Sequence, residues 1–165
     1  MSLAQRASIR THATFLGAEH ILASDEEEDG EETSVETGAG VLMQLANRLR
    51  KDGMEVDELV QEDRGARIEV ESSGEVYRVG IDHRGDDWHL FVCAPEGADG
   101  VLTWGADLKL LVVRIDHTLK RIAGLQRITW HLHADWELGD ERQGRSKPVA
   151  DASGPILRGR FQKSA

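Results

Sequence analysis

One cysteine and three prolines occur in 165 residues. A single thiol excludes an intrachain disulfide framework and any zinc site built from several cysteines. No run approaches the ~18–20 apolar residues that a membrane-spanning helix needs. The opening stretch is broken by Arg6, Arg10 and His12, lacks a continuous apolar core, and reads as a poor secretory signal; cytoplasmic residence is the default expectation. Phosphate-binding loops are missing too. Gly97-Ala98-Asp99-Gly100 lacks the Gly-Lys-Ser/Thr ending, and Gly38-Ala39-Gly40 follows no predicted strand. Hydrophobic residues make up 39%, short of the ~45–50% of a typical globular chain. Part of the chain is therefore expected to lie outside the core.

Acid is what the sequence has in excess. The formal net charge is −10, and residues 25–37 carry eight acids and no base. A block of like charges repels itself and buries too little apolar surface to offset its ordering entropy. This block reads as a solvated linker between an N-terminal segment, 1–24, and the ordered middle. Glu26, Glu27 and Glu28 within it are candidates for contact with a basic partner; a spacer that keeps the chain soluble would show the same composition. Residues 139–165 carry six bases against three acids and read as a mobile basic tail. Nucleic acid and anionic membrane are disfavoured as partners, because most of the surface would repel them.

Between these segments, residues 38–138 read as a single α+β domain. Val41, Leu42, Leu45, Ala46 and Leu49 recur at three- and four-residue spacing, which predicts a helix over 38–53 with Thr37 as cap and Gly53 as its left-handed stop. The segment from Met54 to Asp63 is ambiguous between strand and helical turn. Ala66, Ile68 and Val70 alternate with Arg67, Glu69 and Glu71; Tyr77, Val79 and Ile81 do the same after a Ser-Ser-Gly turn. Trp88–Ala94 is apolar on both sides, which suits a central, doubly covered strand. Short turns between these runs imply antiparallel hairpins. A second helix is predicted over about 104–123, with Leu108, Leu111, Val112, Ile115, Leu119 and Ile122 on one face. From Ile128 to Leu138 apolar and polar residues alternate throughout, which predicts a long strand with one wet face. A further strand is expected near Phe15–Leu22. The order is α-β-β-β-α-β: an antiparallel sheet with two helices packed on one face.

The predicted wet face of the last strand carries His131, His133 and Asp135. Residues two apart on a strand stand ~7 Å apart, so two imidazoles and a carboxylate there are candidate ligands for one metal, zinc being the favoured ion. A solvent-facing strand shows the same polar stripe. Cys93, amid apolar residues, reads as a small buried hydrophobe rather than a nucleophile. Asp86 and Asp87 are turn residues first and partner contacts second. Trp104, at a loop-to-helix junction, is a candidate aromatic anchor for an interface. No catalytic residue and no required cofactor is assigned.

The helix VLMQLANRLRKDG, the segment EDRGARIEVESSGEVYRVGID with its Glu62-Asp63-x-Gly65 lead-in, the strand DDWHLFV and the second amphipathic helix together resemble small acidic bacterial proteins that bind another protein. Two groups share the pattern: immunity proteins that neutralise a toxin, and secretion chaperones with their YbjN-like relatives. The resemblance covers about half of the chain and implies a non-catalytic module for a basic protein partner, as a monomer or a homodimer. The alternatives are a metal-dependent enzyme using His131 and His133, and a dimeric secretion chaperone.

Overall fold

A computed structural model describes residues 9–17, 38–72, 74–93 and 106–149. In chain order the elements are β1 (His12–Leu16), α1 (Ala39–Lys51), β2 (Glu55–Val56), β3 (Val60–Glu62), β4 (Gly65–Ser72), β5 (Glu75–Arg84), β6 (Asp87–Cys93), α2 (Ala106–Arg121), β7 (Gln126–His131) and α3 (His133–Leu138), followed by a 3₁₀ turn at Glu141–Gln143. All strands belong to one antiparallel sheet in the order β2-β4-β5-β6-β1-β7, with β3 also paired to β4. The protein is thus α+β. Among the described residues, no helix is long and apolar enough to cross a membrane.

Alternation decides which side of the sheet is dry. Ala13 and Phe15 of β1, Ile68 and Val70 of β4, Tyr77, Val79 and Ile81 of β5, Trp88, Leu90 and Val92 of β6 and Trp130 of β7 are all buried with the apolar stripes of α1 and α2. Both helices therefore cover one face, as the 3.6- and 2-residue periods require. The buried carboxylate of Asp116 on α2 accepts a 2.9 Å hydrogen bond from Trp130 Nε1 and a 2.8 Å one from Lys120, tying β7 to the helix layer.

Four expectations need correction. The cap of α1 is Gly38, at φ 72, not Thr37. A Cβ on Gly38 would lie within 3 Å of Ile81 and Trp88, so close packing of the helix start on the sheet displaces side-chain capping. The N-terminal segment is not separate from the domain, since β1 lies between β6 and β7. The long final strand is also cut short. His131 pairs with His12, the first residue of β1, so beyond that point β7 has no paired strand on that side among the described residues. The chain turns at Leu132 into α3, whose Ala134, Glu137 and Leu138 favour helix. Gly139 closes α3 in the left-handed region at φ 71. The supposed tail also returns to the sheet: Arg145 bridges Trp130, and Val149 bridges Ile9.

Gly65 explains its place in the lead-in to β4. A Cβ there would stand 2.0 Å from the backbone oxygen of Ile81, a contact that only strand separation relieves. Gly65→Ala is expected to lower unfolding free energy by about 2 kcal/mol, the scale of overpacking; urea denaturation reads it, and an unchanged midpoint would contradict the close approach.

Candidate functional site: a file of histidines under a short helix

The second sheet face carries the residues that alternate with the core. On β1 these are His12 and Thr14, on β6 His89, Phe91 and Cys93, and on β7 Thr129 and His131, while Asp82 lies opposite His89 on β5. Pairing of β1 with both β6 and β7 brings histidines 77 and 119 positions from His12 alongside it. His12 is 8% exposed, His89 6% and His131 3%. Helix α3 provides the cover. Its Trp136 ring stacks on His89 at 4.0 Å and on His12 at 5.3 Å between centroids, tilts against His131 at 5.5 Å, and carries the Arg84 guanidinium 4.8 Å above it.

Hydrogen bonds run through this layer in a file. His12 Nδ1 is 2.8 Å from His89 Nε2, and His12 Nε2 is 2.9 Å from His133 Nδ1. Carboxylates stand at both ends. Asp82 Oδ1 lies 3.3 Å from His89 Nδ1, an ion-pair distance without hydrogen-bond geometry, and Glu137 Oε1 lies 3.1 Å from His133 Nε2. His131 stands beside the file and bonds Thr14 Oγ1 through Nε2 at 3.1 Å. A neutral imidazole has one N–H and one lone pair. His12 therefore donates to one neighbour and accepts from the other. Charging His12 would put a second N–H against a neighbour that must then turn acceptor. Burial first, then the neighbouring His89, His133 and His131, push its pKa down from 6.5 to about 3. The hydrogen-bonded file runs from buried His89 through His12 to the exposed imidazole of His133. Such a chain can pass a proton by exchanging donor and acceptor roles along its length.

The sequence-predicted site residues fare differently. His131 and His133 both reach this layer, but from different elements, so the strand spacing behind the shared-metal reading is absent. His12 points its two nitrogens away from each other, toward His89 and His133, and His131 is engaged by Thr14. Among the described residues, no group of three His, Cys, Asp or Glu side chains is placed to hold a metal ion. Asp135 acts instead on Arg10. Burial and Arg145 push that guanidinium's pKa down, and Asp135 pulls it up. Asp86 and Asp87 are exposed at the β5–β6 turn. Glu26, Glu27, Glu28 and Trp104 lie outside the described residues. Cys93 is half-buried, and burial pushes its thiol pKa up while Arg78 opposes this, which favours the unreactive thiol.

Sequence reasoning missed His12 and His89. Each is a polar residue on a strand whose other side is apolar, a pattern that also fits a solvent-facing position. Only the placement of β1 between β6 and β7 distinguishes the two.

The depressed His12 pKa makes stability depend on pH with a definite sign. The unfolded chain binds a proton at His12 below about 6.5 and the folded one does not, so this contribution is complete above pH 6.5 and drains away as pH falls toward 3. Between pH 7.5 and pH 5 the loss from this group is about 2 kcal/mol. Urea titrations across that range should show it, and His12→Asn should flatten the dependence; an equal slope in both proteins would refute the assignment. Neither protein families nor curated proteins nor solved structures give a match to this chain.

Proposed function

We propose that this chain is a non-catalytic protein-binding module whose docking surface is the uncovered half of the second sheet face, and that its partner is basic. The observation carrying this reading is the unequal cover of that face. Helix α3 and the histidine file close the β6–β1–β7 end, while among the described residues no helix covers the β3–β4–β5 end. There a groove of about 740 Å³ is lined by Arg67, Arg78, Asp82, Phe91 and Cys93, among others. The Phe91 ring lies over Gly80, where a Cβ would approach it to 2.3 Å. Val60 and Val76 on the same side are 45% and 43% exposed.

Two of the groove's cations are already neutralised, Arg67 by Glu62 at 3.2 Å and Arg78 by Glu69 at 3.2 Å. Asp82 meets only His89, by an ion-pair contact, among the described residues. Apolar atoms flanked by charge are what a protein interface needs. The apolar patch supplies lasting affinity, and the −10 net charge speeds encounter with a cationic surface. Neutralisation of a toxin and shelter of a secreted client are the finer versions of this reading that the sequence pattern suggests.

The test is capture from the native lysate at ~50 mM salt, where exposed charges are weakly screened. The wild-type chain is expected to retain a basic protein that the Val60→Ser/Val76→Ser/Phe91→Ser variant releases, with affinity reduced at least tenfold. No retained protein at low salt, or equal retention by the variant, would refute the proposed surface. Light scattering on the purified chain separates the finer versions: a homodimer fits a chaperone and a strict monomer fits an inhibitor.

A further inference from the structure

The helix layer, on the opposite side of the sheet from the groove, carries a feature that the docking reading does not use. Arg114, His117, Thr118 and Arg121 of α2 recur at spacings of three and four and so form one stripe. Arg48 and Asp52, four apart at the end of α1, face it across a cleft of about 180 Å³. Three guanidinium groups meet one carboxylate there, a formal charge of +2 in a chain whose total is −10. Cations in the last turn of a helix commonly balance its dipole. Arg121 fits that account, but Arg114 lies in the middle of α2 and does not.

Asp52 organises the cleft. Its Oδ2 forms ion pairs with Arg114 Nη1 at 2.8 Å and with Arg48 Nε at 3.6 Å, and its side chain is only 15% exposed. One carboxylate oxygen thus holds two guanidinium groups. Most of their N–H donors remain uncommitted, because each group carries five. Arg114 Nε is buried with no partner, and Arg121 and His117 have none among the described residues. Thr118, beside them, donates its hydroxyl to the Arg114 carbonyl at 2.9 Å, which leaves the hydroxyl oxygen's lone pairs for an acceptor role. The cleft therefore offers guanidinium donors in excess of its one carboxylate, with those of Arg114 and Arg48 anchored by Asp52.

We propose that this cleft is a binding site for a phosphate-type oxyanion, held by Arg48, Arg114 and Arg121. Planar guanidinium groups match the oxygens of a tetrahedral anion two at a time, and a dianion satisfies the surplus charge. The volume falls below the ~300–1,000 Å³ of pockets that enclose a whole organic ligand. The cleft therefore reads the phosphate group alone, as free phosphate or as the phosphoryl end of a larger molecule.

The experiment is a ¹H–¹⁵N NMR titration of the full-length chain with inorganic phosphate, with glycerol 3-phosphate, and with acetate and chloride at matched ionic strength. Saturating shifts at Gln44, Thr118 and Arg121 are expected with both phosphates, at least fivefold tighter than with acetate. Arg121→Gln and Arg48→Gln should each weaken binding at least fivefold; Arg121→Gln should leave the melting temperature unmoved, since its exposed side chain has no ion pair among the described residues, whereas Arg48→Gln also gives up the 3.6 Å contact with Asp52. Arg114→Gln is set aside as a test because it also breaks the ion pair with Asp52. Tighter binding of the ester identifies the phosphoryl end of a larger molecule as the ligand, and tighter binding of inorganic phosphate identifies the free ion. Shifts reproduced by chloride or acetate, or unaffected by both substitutions, would overturn the site.

Discussion

His12 lies on a strand flanked on both sides, by β6 and β7, with two ring nitrogens that solvent scarcely reaches. A buried polar group without a partner costs about 1–3 kcal/mol, so the fold has to supply two partners, one for each nitrogen. It does so with two other imidazoles, one from β6 and one from the first residue of α3. That requirement constrains three elements at once. β1 must lie beside β6 in the register that sets Thr14 opposite His89. β7 must end at His131. The chain must then turn so that His133 returns over the sheet. Trp136, four residues after Leu132 at the helix entrance, completes the cover by stacking on the same rings.

This arrangement also explains why the second face is unequally covered. Helix α3 has only six residues and no buried ones. Its hold on the sheet comes from the Trp136 stack, the Arg84 contact and the His12–His133 bond, with no apolar stripe of the kind that fixes α1 and α2. A helix of that length closes the β6–β1–β7 end and no more. The groove beside Asp82 is what remains, and the proposed docking surface is in this sense a consequence of where the histidine file stops. The surface and the file meet at Asp82, whose carboxylate borders the groove and contacts His89.

Much of the fold was legible from the sequence because its two periods are clear. The stripe from Val41 to Leu49, the alternation in β4 and β5 and the apolar run of β6 each follow from burying one side of an element. The helix layer and the antiparallel hairpins follow from them. The alternation from Ile128 to Leu138 misled because period two describes side-chain polarity and says nothing of whether a neighbouring strand exists to pair with. β1 pairs with β7 no further than His12, and the remaining residues adopt the helix that Ala134, Glu137 and Leu138 allow. The candidate site was legible only in part. His131 and His133 were visible as a pair, but His12 and His89 become neighbours only through contacts 77 positions apart. Acid in residues 25–37 suggested a basic partner without placing the proposed surface, which depends on three-dimensional cover.

The measurement closest to the centre of this account is long-range ¹H–¹⁵N correlation of the imidazole rings at pH 5 and pH 7. It reports directly whether each ring nitrogen bears a proton. The account predicts that His12 shows one protonated and one bare nitrogen at both pH values, because its pKa is held at about 3 by burial and by the surrounding imidazoles. A His12 ring with both nitrogens protonated at pH 5, titrating near 6.5, would show that the file is open to water, and the explanation of α3, the unequal cover and the groove would fall with it.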